Sequence, residues 1–112
     1  MSKKKKDMYI MLNSINESLE KGEEALSEDV IITYESIGLS KEYGGKILKE
    51  LVDNGFVEGF KEIETNGAPF PYFRKLKNQS VTLRGIDFLE ENSSLSKFLS
   101  KTKAFKDSTP FL

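Results

Sequence analysis

The sequence predicts an α+β fold, a winged helix-turn-helix with a two-stranded wing hairpin and two additional C-terminal helices, and three observations carry that prediction. From Ser40 to Asn54 apolar residues recur at helical spacing, and Asn54-Gly55 stops the helix directly before the strand-favouring pair Phe56-Val57. Asn66-Gly67, the strongest short hairpin signal, then separates two runs of aromatic and aliphatic residues. Two further amphipathic stripes follow, one of Leu83, Ile86 and Leu89 and one of Leu95, Phe98, Leu99, Thr102 and Phe105.

Taken in order, Asp7 is a capping residue for a first helix whose apolar positions Met8, Leu12, Ile15 and Leu19 form a stripe flanked by Tyr9 and Met11, with Gly22 as its stop. Glu23, Glu24, Glu28 and Asp29 crowd the loop after it. They lack the alternating ligand positions and the turn glycine of a calcium loop, so they read as a solvated loop and no metal is assigned. Val30, Ile31 and Ile32 suit a short strand; Thr33 caps a single turn holding Tyr34 and Ile37, and Gly38 closes it.

Ser40 caps the central helix, on which Tyr43, Gly44, Ile47, Leu48, Leu51 and Val52 share the inner face, and Gly55 supplies the left-handed residue that ends it. With Asn66 and Gly67 as the turn, Ile63 faces Phe70, Phe60 faces Phe73 and Glu58 faces Lys75, while Pro69 and Pro71 mark the returning strand as an edge or as irregular near the tip. Thr82 caps the next helix, Gly85 allows close backbone approach, and Asn92 ends it. Ser93 or Ser94 caps the last helix, and Phe111-Leu112 trail after Pro110. The expected organisation is a basic arm over residues 1–7, one domain over 8–107 and a tail over 108–112.

Composition bounds the function. The 112 residues contain neither cysteine nor histidine, which removes thiolate and imidazole chemistry and the zinc sites built on those ligands. No spacing joins a nucleophile to a base, so a non-enzymatic protein without a cofactor is expected. No apolar run approaches the ~20 residues a membrane span needs, and the basic start lacks the apolar core of a secretory signal, so a cytoplasmic protein without membrane contact is expected. The net charge of −1 is unevenly spread: residues 1–7 and 93–112 are each +3, and residues 8–92 are −7.

The run KILKELVDNGFVEGF from Lys46 to Phe60, the Asn66-Gly67 wing, SVTLRGIDFLEENS from Ser80 to Ser93 and SKFLSKTKAF from Ser96 to Phe105 together resemble the YjcQ-like family. These are small winged-helix proteins of Gram-positive bacteria and their phages and prophages. The resemblance spans nearly the whole chain; it implies a winged helix in a phage-related, regulatory setting and supplies no catalytic residues.

Two functions of different class follow. In the first, the protein binds double-stranded DNA: the Ser40–Asn54 helix enters a major groove, and phosphates are held by Lys3, Lys4, Lys5, Lys6, Lys41, Lys46, Lys49, Lys61, Arg74 and Lys75. The outward face of that helix weakens this reading. Glu42 with Lys46, Lys46 with Glu50 and Lys49 with Asp53 are i,i+4 pairs that neutralise one another, no arginine or glutamine faces outward to read a base, and the −7 body repels phosphate. In the second, the protein is an interaction module that binds itself or another protein through Leu95, Phe98, Leu99 and Phe105 on the last helix, unless those residues simply pack on the first helix.

Overall fold

A computed structural model of the chain describes residues 2–22, 34–63, 67 and 71–101, the side chains of 77, 100 and 101 excepted. It is α+β. The elements are helix α1 (Lys3–Glu20), helix α2 (Lys41–Asp53), strand β1 (Val57–Ile63), strand β2 (Tyr72–Val81), helix α3 (Leu83–Glu91) and a 3-10 helix (Ser93–Lys101), with one helical turn at 34–36 before α2. The expected strand Val30–Ile32, the acidic loop, the Thr33 cap, Asn66, Phe70, Thr102, Phe105 and the tail lie outside the described residues.

Helix α1 begins a full turn earlier than its apolar stripe suggested. Ser2 is the cap, accepting from the Lys5 N–H at 3.1 Å, so Lys3 to Lys6 form the first helical turn instead of an arm ahead of it, and Asp7 lies within the helix. Six consecutive residues, Asp7 to Leu12, are buried. A helix covered on all sides is a core element, and α1 packs against α2, β2, α3 and the 3-10 helix. The expected stripe is seated as anticipated: Leu12 and Ile15 are fully buried and Leu19 packs at the edge of the core.

Helix α2 follows the sequence closely. The Ser40 hydroxyl accepts from the Tyr43 N–H, Gly44, Ile47, Leu48 and Leu51 are buried, and Tyr43 and Val52 pack beside them. Gly55, at φ +75°, donates to the Val52 carbonyl while the Phe56 N–H reaches back to Leu51 O, the paired bonds that close a helix through a left-handed residue. Gly44 lies flat against the Tyr34 ring with no room for a Cβ, which is how the short turn at 34–36 docks on α2.

The hairpin forms, with a register that differs from the sequence expectation. Ile63 pairs with Tyr72, Glu62 with Phe73, Lys61 with Arg74 and Phe60 with Lys75; beyond an irregularity, Glu58 pairs with Ser80 and Val57 with Val81. Phe60 was expected opposite Phe73, Ile63 opposite Phe70 and Glu58 opposite Lys75. Pro71, which has no N–H, sits immediately before β2, and the ladder engages two residues later than a turn centred on Asn66-Gly67 would give. A shift of two preserves every side chain's face, so Phe60 and Phe73 are both buried as diagonal neighbours. At the irregularity Gly59 has φ +91°, and a Cβ there would come within 2.5 Å of the Gln79 Cα, so only glycine fits the bulge.

The junction at the far end of the hairpin locks three elements together. The Thr82 hydroxyl donates to Gly55 O at 2.6 Å and accepts from the Gly85 N–H at 3.1 Å, while the Thr82 N–H donates to Phe56 O. Gly85 presses on the Phe56 carbonyl with no space for a Cβ, as its position in the sequence suggested, and the Phe56 and Phe88 rings lie 4.8 Å apart. That contact sets the rotation of α3. Gly85, Leu89 and Asn92 face inward, which turns Leu83 to the opposite side; it is 82% exposed, where the stripe had placed it in the core. Asn92 ends α3 as expected, its side chain donating to Phe88 O at 2.8 Å.

Candidate interaction surface

The residues expected to meet DNA begin on α1. Lys3 donates to the buried Asp7 carboxylate at 2.7 Å and lies over the Tyr43 ring, 4.2 Å from its centroid. The Asp7 hydrogen bond holds the Lys3 ammonium above its usual range; burial, then Asp7, pushes the Tyr43 phenol up. Lys4 reaches across to Glu50 on α2 at 2.7 Å, and the Lys6 ammonium stands 4.9 Å from the Phe98 ring centroid. Lysines in a first turn oppose the helix dipole, and no acidic residue offsets them there. Three of these four instead fasten α1 to α2 and to the 3-10 helix, leaving Lys5 turned to solvent.

On α2 one of the three lysines is held by acids. Lys49 bridges Glu62 on β1 at 2.9 Å and Asp53 at 3.5 Å, and the Glu62 hydrogen bond raises its pKa. Of the three i,i+4 pairs read from the sequence, Lys49–Asp53 forms, whereas Glu50 is drawn to Lys4 and to the Asn54 amide. Lys41 and Lys46 are exposed and take part in no ion pair among the described residues.

The hairpin divides the remaining cations between two faces. Phe60, Glu62, Phe73 and Lys75 share the face that packs toward the body, and the Lys49–Glu62 bridge ties that face to α2. Lys61 and Arg74 lie directly opposite one another on the other face, both exposed, with no carboxylate bound to either among the described residues. Ile63, 39% exposed, and the half-buried Tyr72 stand beside this pair toward the tip; Leu76, 43% exposed, stands beside it toward the bulge.

The ten cations expected at one nucleic-acid site are therefore dispersed. Lys3, Lys4 and Lys49 are paired with carboxylates within the fold, Lys6 covers a ring, Lys75 is half-buried on the inner hairpin face, Lys61 and Arg74 lie on the outer hairpin face, and Lys5 on α1 and Lys41 and Lys46 on α2 are exposed. The residues expected on a partner surface are also drawn inward: Leu95 is 2% exposed in the core, and Phe98 and Leu99 pack half-buried against it, while Phe105 lies outside the described residues. Sequence reasoning missed the outer hairpin face. Its signal, alternation of Lys61 with Ile63 and of Tyr72 with Arg74 and Leu76, was present, but the register that aligns Lys61 with Arg74 was not.

Among the described residues no acidic cluster could hold a metal ion and no helix is long and apolar enough to cross a membrane. The family model described as YjcQ protein matches residues 9–108. The chain belongs to the YjcQ family. No curated protein and no solved structure matches it. Family membership accords with the elements described: the match runs from α1 through the 3-10 helix, taking in the α2–hairpin junction and the Thr82 lock.

Proposed function

We propose that this YjcQ-family chain is a winged-helix protein that works as a non-enzymatic protein-interaction module, in the phage-related regulatory setting its family resemblance implies, and not as a reader of DNA. The order of α1, the turn at 34–36, α2 and the β1–β2 hairpin supports the winged helix. One observation carries the functional reading: Lys49 on α2 and Lys4 beside it are held by Glu62, Asp53 and Glu50, and the exposed hairpin cations lie on the opposite hairpin face. Nonspecific DNA affinity comes from phosphates neutralised together on one surface, and this surface offers interleaved acids.

Titrating labelled duplex against the protein at several salt concentrations tests the reading. Weak binding confined to low salt and indifferent to Lys46→Glu is expected. Salt-resistant, sequence-selective binding abolished by Lys46→Glu would establish α2 as a groove-reading helix and overturn it.

A further inference from the structure

Resting on that reading, we infer that the outer face of the hairpin, built on Lys61, Ile63, Tyr72, Arg74 and Leu76, is the docking surface, and that its partner is a protein segment with a carboxylate flanked by apolar side chains. Like charges directly opposite on an antiparallel ladder destabilise it, and nothing among the described residues offsets the Lys61–Arg74 juxtaposition. A single carboxylate lying over the pair relieves both charges at once. To either side along the hairpin stand apolar groups, the exposed Ile63 with the half-buried Tyr72 and then the exposed Leu76, each two residues from the cations and so roughly 7 Å away.

An extended segment repeats its same-side residues at that same spacing, so an apolar–x–acidic–x–apolar stretch meets the face group by group. The aliphatic flanks select a protein over a nucleic acid, because a phosphate backbone has nothing apolar to lay on Ile63 and Leu76. The face also explains why the pair persists: it costs the hairpin stability in isolation and gains its counter-charge on binding.

The test uses the full chain and a labelled peptide in which a central glutamate is flanked, two residues away on each side, by leucine. Lys61→Glu converts the opposed cations into a cross-strand ion pair, so its thermal midpoint rises above that of the parent while peptide affinity falls by about tenfold or more. A peptide with lysine in place of the glutamate regains binding to the Lys61→Glu, Arg74→Glu double variant. Peptide binding unchanged by Lys61→Glu, or no saturable binding by the parent, overturns the inference and leaves the non-DNA reading standing. Duplex binding lost with Lys61→Glu overturns both. A mass increase with concentration that Lys61→Glu abolishes assigns the face to a second copy of the chain and overturns the peptide partner.

Discussion

The two sides of the α2–hairpin unit treat charge in opposite ways. On the side where α2 meets β1 and α1, two cations each have a carboxylate from another element beside them: Lys49 has Glu62 and Lys4 has Glu50. On the far side of the hairpin, two cations oppose each other with exposed aliphatic groups around them. The first arrangement is what a fold does with charge it must hold close to its core; surface pairs of this kind add little stability but cancel the local field. The second cancels nothing, and a surface left charged and apolar together is suited to a partner.

The comparison depends first on α2 being oriented as described, with Leu51 inward and Lys49 at the hairpin. Leu51→Ala should cost roughly 2–5 kcal/mol in denaturant unfolding, because the side chain is fully buried and its neighbours cannot all collapse into the space. A loss below about 1 kcal/mol would mean the helix is rotated and its charged face wrongly assigned.

Next in size is the bulge that aligns Lys61 with Arg74. Gly59→Ala combines a positive φ with a Cβ against the Gln79 backbone, and should cost about 1–3 kcal/mol and shift the hairpin amide resonances from residue 57 to 81. An unperturbed hairpin would show that the register has another cause.

Tyr34 gives a smaller and opposite effect. Its buried hydroxyl has no hydrogen-bond partner among the described residues, and burial raises its pKa. Tyr34→Phe should therefore be neutral or stabilising by about 1 kcal/mol at neutral pH. The native phenol keeps its proton where the unfolded one, with an ordinary pKa of 10.0, releases it. Stability from this group is thus complete below pH 10 and falls as pH rises above it, by about 1.4 kcal/mol per pH unit. Tyr34→Phe should flatten that alkaline decline; an unchanged slope would place the hydroxyl in contact with water.

The smallest stability effect and the sharpest functional contrast belong to Asp53→Asn combined with Glu62→Gln. Unfolding should be hardly altered, while low-salt duplex binding should strengthen, since Lys49 is released from both partners. No gain in duplex binding would mean that something other than the ion pairs keeps α2 from DNA.

Local chemistry was legible and tertiary chemistry was not. The Ser40 cap, the Gly55 stop, the Thr82 cap to Gly85 and the α2 stripe act within a few residues of themselves, and their roles in the sequence are their roles in the fold. The start of α1 was hidden because four lysines in a row look like an arm; what makes them helical is Ser2 behind them and Asp7, Glu50 and Phe98 around them. Leu83 was misassigned because the stripe alone does not fix the phase of a nine-residue helix, whereas the Gly85–Phe56 contact does. Lys4–Glu50 and Lys49–Glu62, which decide the candidate site, join separate elements and follow no local spacing rule.

Amide chemical-shift mapping of the isotopically labelled chain, titrated separately with duplex DNA and with the glutamate-centred peptide, tests the central claim most directly. The account predicts that peptide perturbs the amides of Lys61, Ile63, Tyr72, Arg74 and Leu76, and that duplex leaves those of Lys41, Lys46 and Lys49 in place at moderate salt. Concerted shifts along α2 on adding duplex, with the outer hairpin face silent to peptide, would contradict it.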